Sequence, residues 1–136
     1  MEGKGGEGNV ELEQVCIKGI NNTYAISNVK KEFRKAVDET WKENPPWKRY
    51  QKKLIEDLAV LEVEKERAID LPQFEKLTKV EKLYSIRHPE SKKNVRMIYT
   101  IEDGAIILLT AFLEKNDGDY ERAIETALKR LRWLES

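Results

Sequence analysis

At 136 residues, with 40% hydrophobic and 37% charged content, the chain carries enough apolar material for one domain under a heavily solvated surface. Its 25 Lys/Arg balance 25 Asp/Glu, so no general positive field draws it toward nucleic acid or an anionic membrane. The single cysteine, Cys16, excludes an internal disulfide and a thiolate metal cluster, and no apolar run approaches the roughly 18 residues needed to cross a bilayer, so the reading is a cytoplasmic protein without a membrane partner.

Met1 to Gly8 is rich in glycine and charge, and residues 1–23 as a whole read as a flexible tail ahead of a single domain at 24–136. Within that stretch Val10 to Ile20 alternates weakly, and Asn21-Asn22 reads as a turn. Tyr24 to Ser27 fits either a short strand or the approach to a helix. From Asn28 the apolar positions Val29, Phe33, Ala36, Val37 and Trp41 recur at helical spacing, with Ser27 or Asn28 as cap. Pro45-Pro46 ends that helix and starts another, whose stripe is Trp47, Tyr50, Leu54, Leu58 and Leu61. The two form an αα-hairpin that Glu62 to Arg67 extends and Pro72 ends.

Leu83 to His88 reads as a strand, a loop through Pro89 to Asn94 reverses the chain, and Val95 to Ile101 reads as the next strand. Asp103-Gly104 is a two-residue hairpin signal, because both residues tolerate positive φ. That turn sets an expected register in which Ile101 opposes Ile106, Tyr99 opposes Leu108 and Arg96 opposes Ala111. Both faces of the hairpin are apolar, which places it in the middle of an antiparallel sheet. Asp117-Gly118-Asp119 caps a last helix, with Ala123, Ile124, Ala127, Leu128 and Leu131 inward and Glu121, Glu125, Lys129, Arg130 and Arg132 outward. The expected fold is α+β: an N-terminal helical hairpin packed on a small antiparallel β-sheet, with a C-terminal helix.

Residues 76–136 hold 12 Lys/Arg against 10 Asp/Glu, so any phosphate site must come from local clustering. Arg96, between Val95 and Met97, must reach solvent at the sheet end, bind an anion, or pair with a carboxylate such as Glu114. Arg87 and His88 end the preceding strand and point to opposite faces, so only one of them can share Arg96's side. His88 reads as a surface residue placed to contact RNA or as a general base. Lys92 and Lys93, in the loop, either solvate it or grip an RNA backbone. Lys115 and Tyr120 flank the junction between the third strand and the last helix. Each alone is an ordinary snorkelling or packing residue; together with Arg87 and Arg96 they make one cationic pocket at a sheet end.

Such a pocket suits cleavage of a phosphodiester by the neighbouring 2′-hydroxyl, which needs a base, an acid and cations around the phosphorane. Guanidinium and ammonium groups beside Tyr120 favour its phenolate, which would make it a usable base. No His-x-x-x-His, Gly-x-Ser-x-Gly, Cys pair or phosphate-binding Gly-rich loop is present, so neither metal nor cofactor is expected. Trp41, Trp47 and Trp133 read as core or interface anchors, and Trp47 and Tyr50 as exposed contacts for a protein partner.

Residues from about Leu71 to Leu134 resemble the RelE/ParE toxin superfamily, in particular its HigB-like, phage-associated branch. The resemblance rests on Leu83-Tyr84-Ser85-Ile86-Arg87, on Val95-Arg96-Met97-Ile98-Tyr99, and on a long apolar strand from Ile106 that runs into Lys115 before an Ala/Lys/Arg-rich helix. It implies a toxin of a toxin-antitoxin pair, with a ribosome-dependent mRNA endoribonuclease activity. Arg87, Arg96 and Lys115 would then be the phosphate-binding cations and Tyr120 the proton-transfer group. The implied partners are an antitoxin of the helix-turn-helix type, the ribosome and mRNA. Two alternatives stay open: a ParE-like gyrase inhibitor that acts by binding, and a catalytically degenerate phage-related interaction protein.

Overall fold

The computed structural model describes residues 11–77, 80, 82–88 and 94–136. The elements are β1 (Leu12–Gln14), β2 (Thr23–Ile26), α1 (Val29–Thr40), α2 (Trp47–Glu64), a 3-10 turn (Lys65–Asp70), β3 (Phe74–Lys76), β4 (Tyr84–His88), β5 (Asn94–Glu102), β6 (Ala105–Glu114) and α3 (Asp117–Glu135). The fold is α+β, with the described residues forming three α-helices on one six-stranded sheet of order β1-β2-β6-β5-β4-β3.

Two features correct the expected architecture. Strands precede the helical hairpin, and β2 runs parallel to β6, so the sheet is mixed rather than antiparallel. Leu12–Gln14, inside the stretch expected to be a tail, pairs with β2. The two strands are too short to print a clear alternation, and much of their anchoring comes from elsewhere in the chain. Thr23 and Ile26 bury in the core, while the Glu62 carboxylate on α2 accepts from Asn21 N, Asn22 N and Thr23 Oγ1 at 2.9–3.2 Å.

Alternation along β4, β5 and β6 divides the sheet into two faces. His88, with its ring 5.5 Å from Phe33 and 5.6 Å from Tyr50, marks the face covered by α1 and α2. Arg96, whose guanidinium lies 4.8 Å from the Tyr120 ring, marks the face reached by α3. Val29, Ala36, Val37, Leu58 and Leu61 from the hairpin, and Ala123, Ala127 and Leu131 from α3, supply the buried helical stripes much as their spacing predicts. Tyr50 is also buried. It is therefore not the exposed partner contact expected, and Trp47 is half-buried.

Asp103 and Gly104 both take positive φ, as the hairpin turn requires. From it the register runs Ile101 to Ile106 and Tyr99 to Leu108, as expected, and then slips. Ile98 pairs with Thr110 and Arg96 with Phe112, so the expected Arg96–Ala111 pairing is displaced by one residue and Leu109 is the extra residue of a β-bulge. Because side chains alternate, the slip moves Phe112 and Glu114 onto Arg96's face.

The bulge sits where β6 loses its outer partner, since β2 pairs with it only through Leu108. Side chains take over from there. Arg130 Nη1 donates to Leu109 O at 2.8 Å, and Glu32 Oε1 accepts from Thr110 Oγ1 and Ala111 N at 3.0 and 3.3 Å. Arg130 and Glu32 bond each other through two N–H groups at 2.8 and 3.0 Å. Arg130, expected to face outward, is instead 2% exposed.

Removing one partner of a buried pair strands the other charge, which costs about 3–5 kcal/mol. Glu32→Ala is expected to lower stability by about 3 kcal/mol, the lower end, because the carboxylate keeps some solvent. The double variant Glu32→Leu/Arg130→Met should recover part of that loss. Urea unfolding midpoints at unchanged slope check both.

Candidate functional site

The face of the sheet toward α3 carries a compact cluster around Arg96. Its Nε donates to Glu114 Oε1 at 2.6 Å, which fixes the guanidinium plane, while Nη1 reaches Glu75 Oε1 at 3.2 Å and Ser85 Oγ at 3.4 Å. Glu75 sits on the short edge strand β3, directly opposite Ser85, and its side chain is 56% exposed against 11% for Arg96. Asn94 adds a donor to Glu114 at 3.3 Å.

Tyr120 closes the cluster from the first turn of α3. Its ring packs against Phe112, and its hydroxyl donates to Glu75 Oε1 at 3.1 Å and lies 3.2 Å from Ser85 Oγ. A capping box fixes where that turn begins. Asn116 Oδ1 accepts from Asp119 N at 3.1 Å, and Asp119 Oδ2 accepts from Asn116 N at 3.2 Å. The cap is thus Asn116, one residue ahead of the expected Asp117. Asp119's carboxyl is held below the usual range, chiefly by the N–H of Lys115, so it is charged at neutral pH and suits the positive end of α3.

Burial, the largest influence, lifts the Tyr120 phenol above its ordinary value; Ser85 and Arg96 pull it down but Glu75 pushes it further up. This reverses the expected effect of the nearby cations. At neutral pH Tyr120 is a proton donor, and the nearest group that can take a proton is Glu75.

Of the residues singled out in the sequence, Arg87, Arg96 and Tyr120 share this face. Arg87 is the direct cross-strand partner of Arg96, and its buried Nε has no hydrogen-bond partner among the described residues. Two guanidiniums side by side repel unless anions stand between or beside them, and Glu75 and Glu114 partly serve that role. Lys115 is turned elsewhere: its Nζ lies 4.0 Å from Glu39 of α1, in a cleft of about 260 Å³. His88 is 1% exposed and packed under the helical hairpin, so it presents nothing to an RNA. Lys92 and Lys93 lie outside the described residues. Neither Glu75 nor Ser85 stands among the site residues expected from the sequence. Ser85 was visible as a polar residue within a buried strand, but nothing local marks Glu75, which reaches the cluster only through the β3–β4 pairing.

The family model described as phage-derived protein Gp49-like (DUF891) matches residues 39–132, more than half of the chain and all of the cluster. No curated protein and no solved structure matches. Among the described residues no group of His, Cys, Asp and Glu is arranged to hold a metal ion, and no helix is long and apolar enough to cross a membrane.

Tyr120 should titrate above an ordinary tyrosine near pH 10, with Glu75→Gln lowering its midpoint but leaving it raised, because burial is the larger cause. Phenolate absorbance, differenced against Tyr120→Phe, reads this. Tyr84 and Tyr99 are also raised by burial. A phenol whose pKa is higher folded than unfolded favours the folded state less once the unfolded chain can ionise, so stability should fall as pH rises through about 10.

Proposed function

The chain belongs to the phage-derived Gp49-like family, a family of RelE/HigB-type toxins, and on that premise we propose that it is the toxin of a toxin-antitoxin pair and cleaves mRNA on the ribosome. The observation that carries the chemical part of the reading is the convergence of Arg96 Nη1, Ser85 Oγ and Tyr120 Oη on one carboxylate oxygen of Glu75. Three donors that meet at a single acceptor are also what a phosphate oxygen requires.

In this proposal the RNA phosphate enters between Glu75 and Tyr120 and takes over the Nη1 donor of Arg96, while Glu114 keeps Nε and so holds the guanidinium in plane. Glu75 accepts the 2′-hydroxyl proton, the 2′-oxygen attacks phosphorus, and the bond from phosphorus to the 5′-oxygen breaks as Tyr120 gives that oxygen its proton. The products are a 2′,3′-cyclic phosphate and a 5′-hydroxyl. The proton then returns from Glu75 to Tyr120 across the contact they make in the resting protein. Arg87, beside Arg96, offsets negative charge on the phosphorane. Each placed proton-transfer group is worth about 10²–10⁴-fold in rate. With few cations at the site, positioning falls to the ribosome.

One observation favours a second reading. Arg96 is largely buried between two carboxylates, an arrangement that also serves a purely structural arginine in a protein that acts by binding.

Induced expression of the wild type should arrest growth, with mRNA cuts that appear only while ribosomes are engaged. Arg96→Ala, Tyr120→Phe and Glu75→Gln should each fold and lose at least about 10²-fold in cleavage. Arrest with intact mRNA and a DNA-damage response would favour gyrase inhibition, and a harmless wild type would favour a binding protein.

A further inference from the structure

The neutrality of the chain conceals a strong local imbalance. Residues 28–54 hold nine Lys/Arg against four Asp/Glu, and residues 55–75 hold two against seven. The basic half is α1 together with the first two turns of α2, toward the end of the hairpin where the loop joins them. Lys31, Arg34 and Lys35 on α1 and Lys48, Arg49 and Lys52 on α2 are all exposed. One of the four acids, Glu32, is already committed to Arg130.

Two guanidinium stacks cross between the helices at that end. Arg34 of α1 lies over Trp47 at 5.7 Å, and Arg49 of α2 lies over Trp41 at 5.5 Å. The Trp41 indole is fixed in turn by donating to Tyr50 Oη at 3.0 Å. The stacked guanidinium of Arg34 has lost much of its rotamer freedom before any ligand arrives, and its outer N–H groups form a fork matched to phosphate oxygens. A merely solvated helix face needs neither the clustering of one sign nor this fixing.

We infer that the loop-connected end of the α1–α2 hairpin is a docking surface for the phosphodiester backbone of structured RNA, separate from the Arg96 cluster on the other face of the sheet. It recognises charge and spacing and takes no part in bond breaking. The inference does not depend on the proposed cleavage: a protein that bound RNA here without cutting it would satisfy it. The chain would then hold a folded RNA on one side and present the opposite face to a separate strand.

The test is fluorescence anisotropy of the full chain with a labelled RNA duplex, from about 50 to about 200 mM salt. The variant Lys31→Gln/Lys35→Gln/Lys48→Gln/Lys52→Gln changes only exposed lysines, and an unchanged thermal melt confirms its fold. Each phosphate contact contributes about 0.9 to the salt slope of a B-form duplex and about 0.7 for a single strand, so removing four lysines should lower the slope by about 3 to 4 and affinity near physiological salt by at least about tenfold. Arg34→Lys keeps the charge but not the fork, and should weaken binding less than the quadruple variant. Lys129→Gln/Arg132→Gln, at exposed positions of α3, should keep the wild-type slope. An unchanged slope in the quadruple variant would overturn the inference, as would loss of duplex binding in the α3 variant with the lysine variant intact. Tight binding of polyglutamate by a chain that ignores the duplex would overturn it in favour of an acidic protein partner.

Discussion

The two-pronged bond between Arg130 and Glu32, laid over the exposed edge of β6, is the constraint on which the rest of the structure depends. Beyond Leu108 that strand has no backbone partner on its outer side among the described residues, and an open central strand would leave its peptide groups to water or to another chain. Arg130 takes the carbonyl of the bulged Leu109, and Glu32 takes the N–H of Ala111. One ion pair therefore ties α1 to α3, satisfies the sheet edge and holds the bulge in place.

The candidate site inherits its geometry from that bulge. Without the extra residue Glu114 would alternate to the face beneath α1 and α2, and Arg96 would lie beside Ala111 with nothing to fix its plane. With it, Glu114 and Phe112 stand beside Arg96, and the capping box at Asn116 delivers Tyr120 onto the pair. The cluster is close to charge-balanced, in keeping with the neutral composition. In the proposed cleavage its advantage would come from placement, and affinity for a polyanion would fall to the basic end of the hairpin, where the chain concentrates positive charge.

What was legible in the sequence followed local periodicity and turn chemistry. Asp103-Gly104, the helical spacings from Val29 and from Trp47, and the strand at Tyr84–His88 all depend on neighbours in the chain. The bulge does not, because it is set by Arg130 and Glu32, which lie 98 residues apart. The same distance hid Arg130, whose helical position reads as outward until α1 supplies a carboxylate. Arg96, Arg87 and Tyr120 stood out because cations and a phenol interrupt apolar strands or follow them. Glu75 did not, since an acid in a three-residue edge strand resembles any solvated glutamate. The protonation of Tyr120 is hidden for a related reason: nearby cations can be read from a sequence, whereas the burial that outweighs them cannot.

The chemical ends of the cut RNA test the central claim most directly. Attack by the 2′-hydroxyl with Tyr120 protonating the leaving oxygen requires fragments that end in a 2′,3′-cyclic phosphate, or the 3′-phosphate it hydrolyses to, facing a 5′-hydroxyl. Sequencing the termini of mRNA recovered from ribosomes during wild-type expression should find those ends. Fragments with 3′-hydroxyl and 5′-phosphate ends would mean that water or another nucleophile makes the cut, and the roles assigned to Glu75, Arg96 and Tyr120 would be wrong.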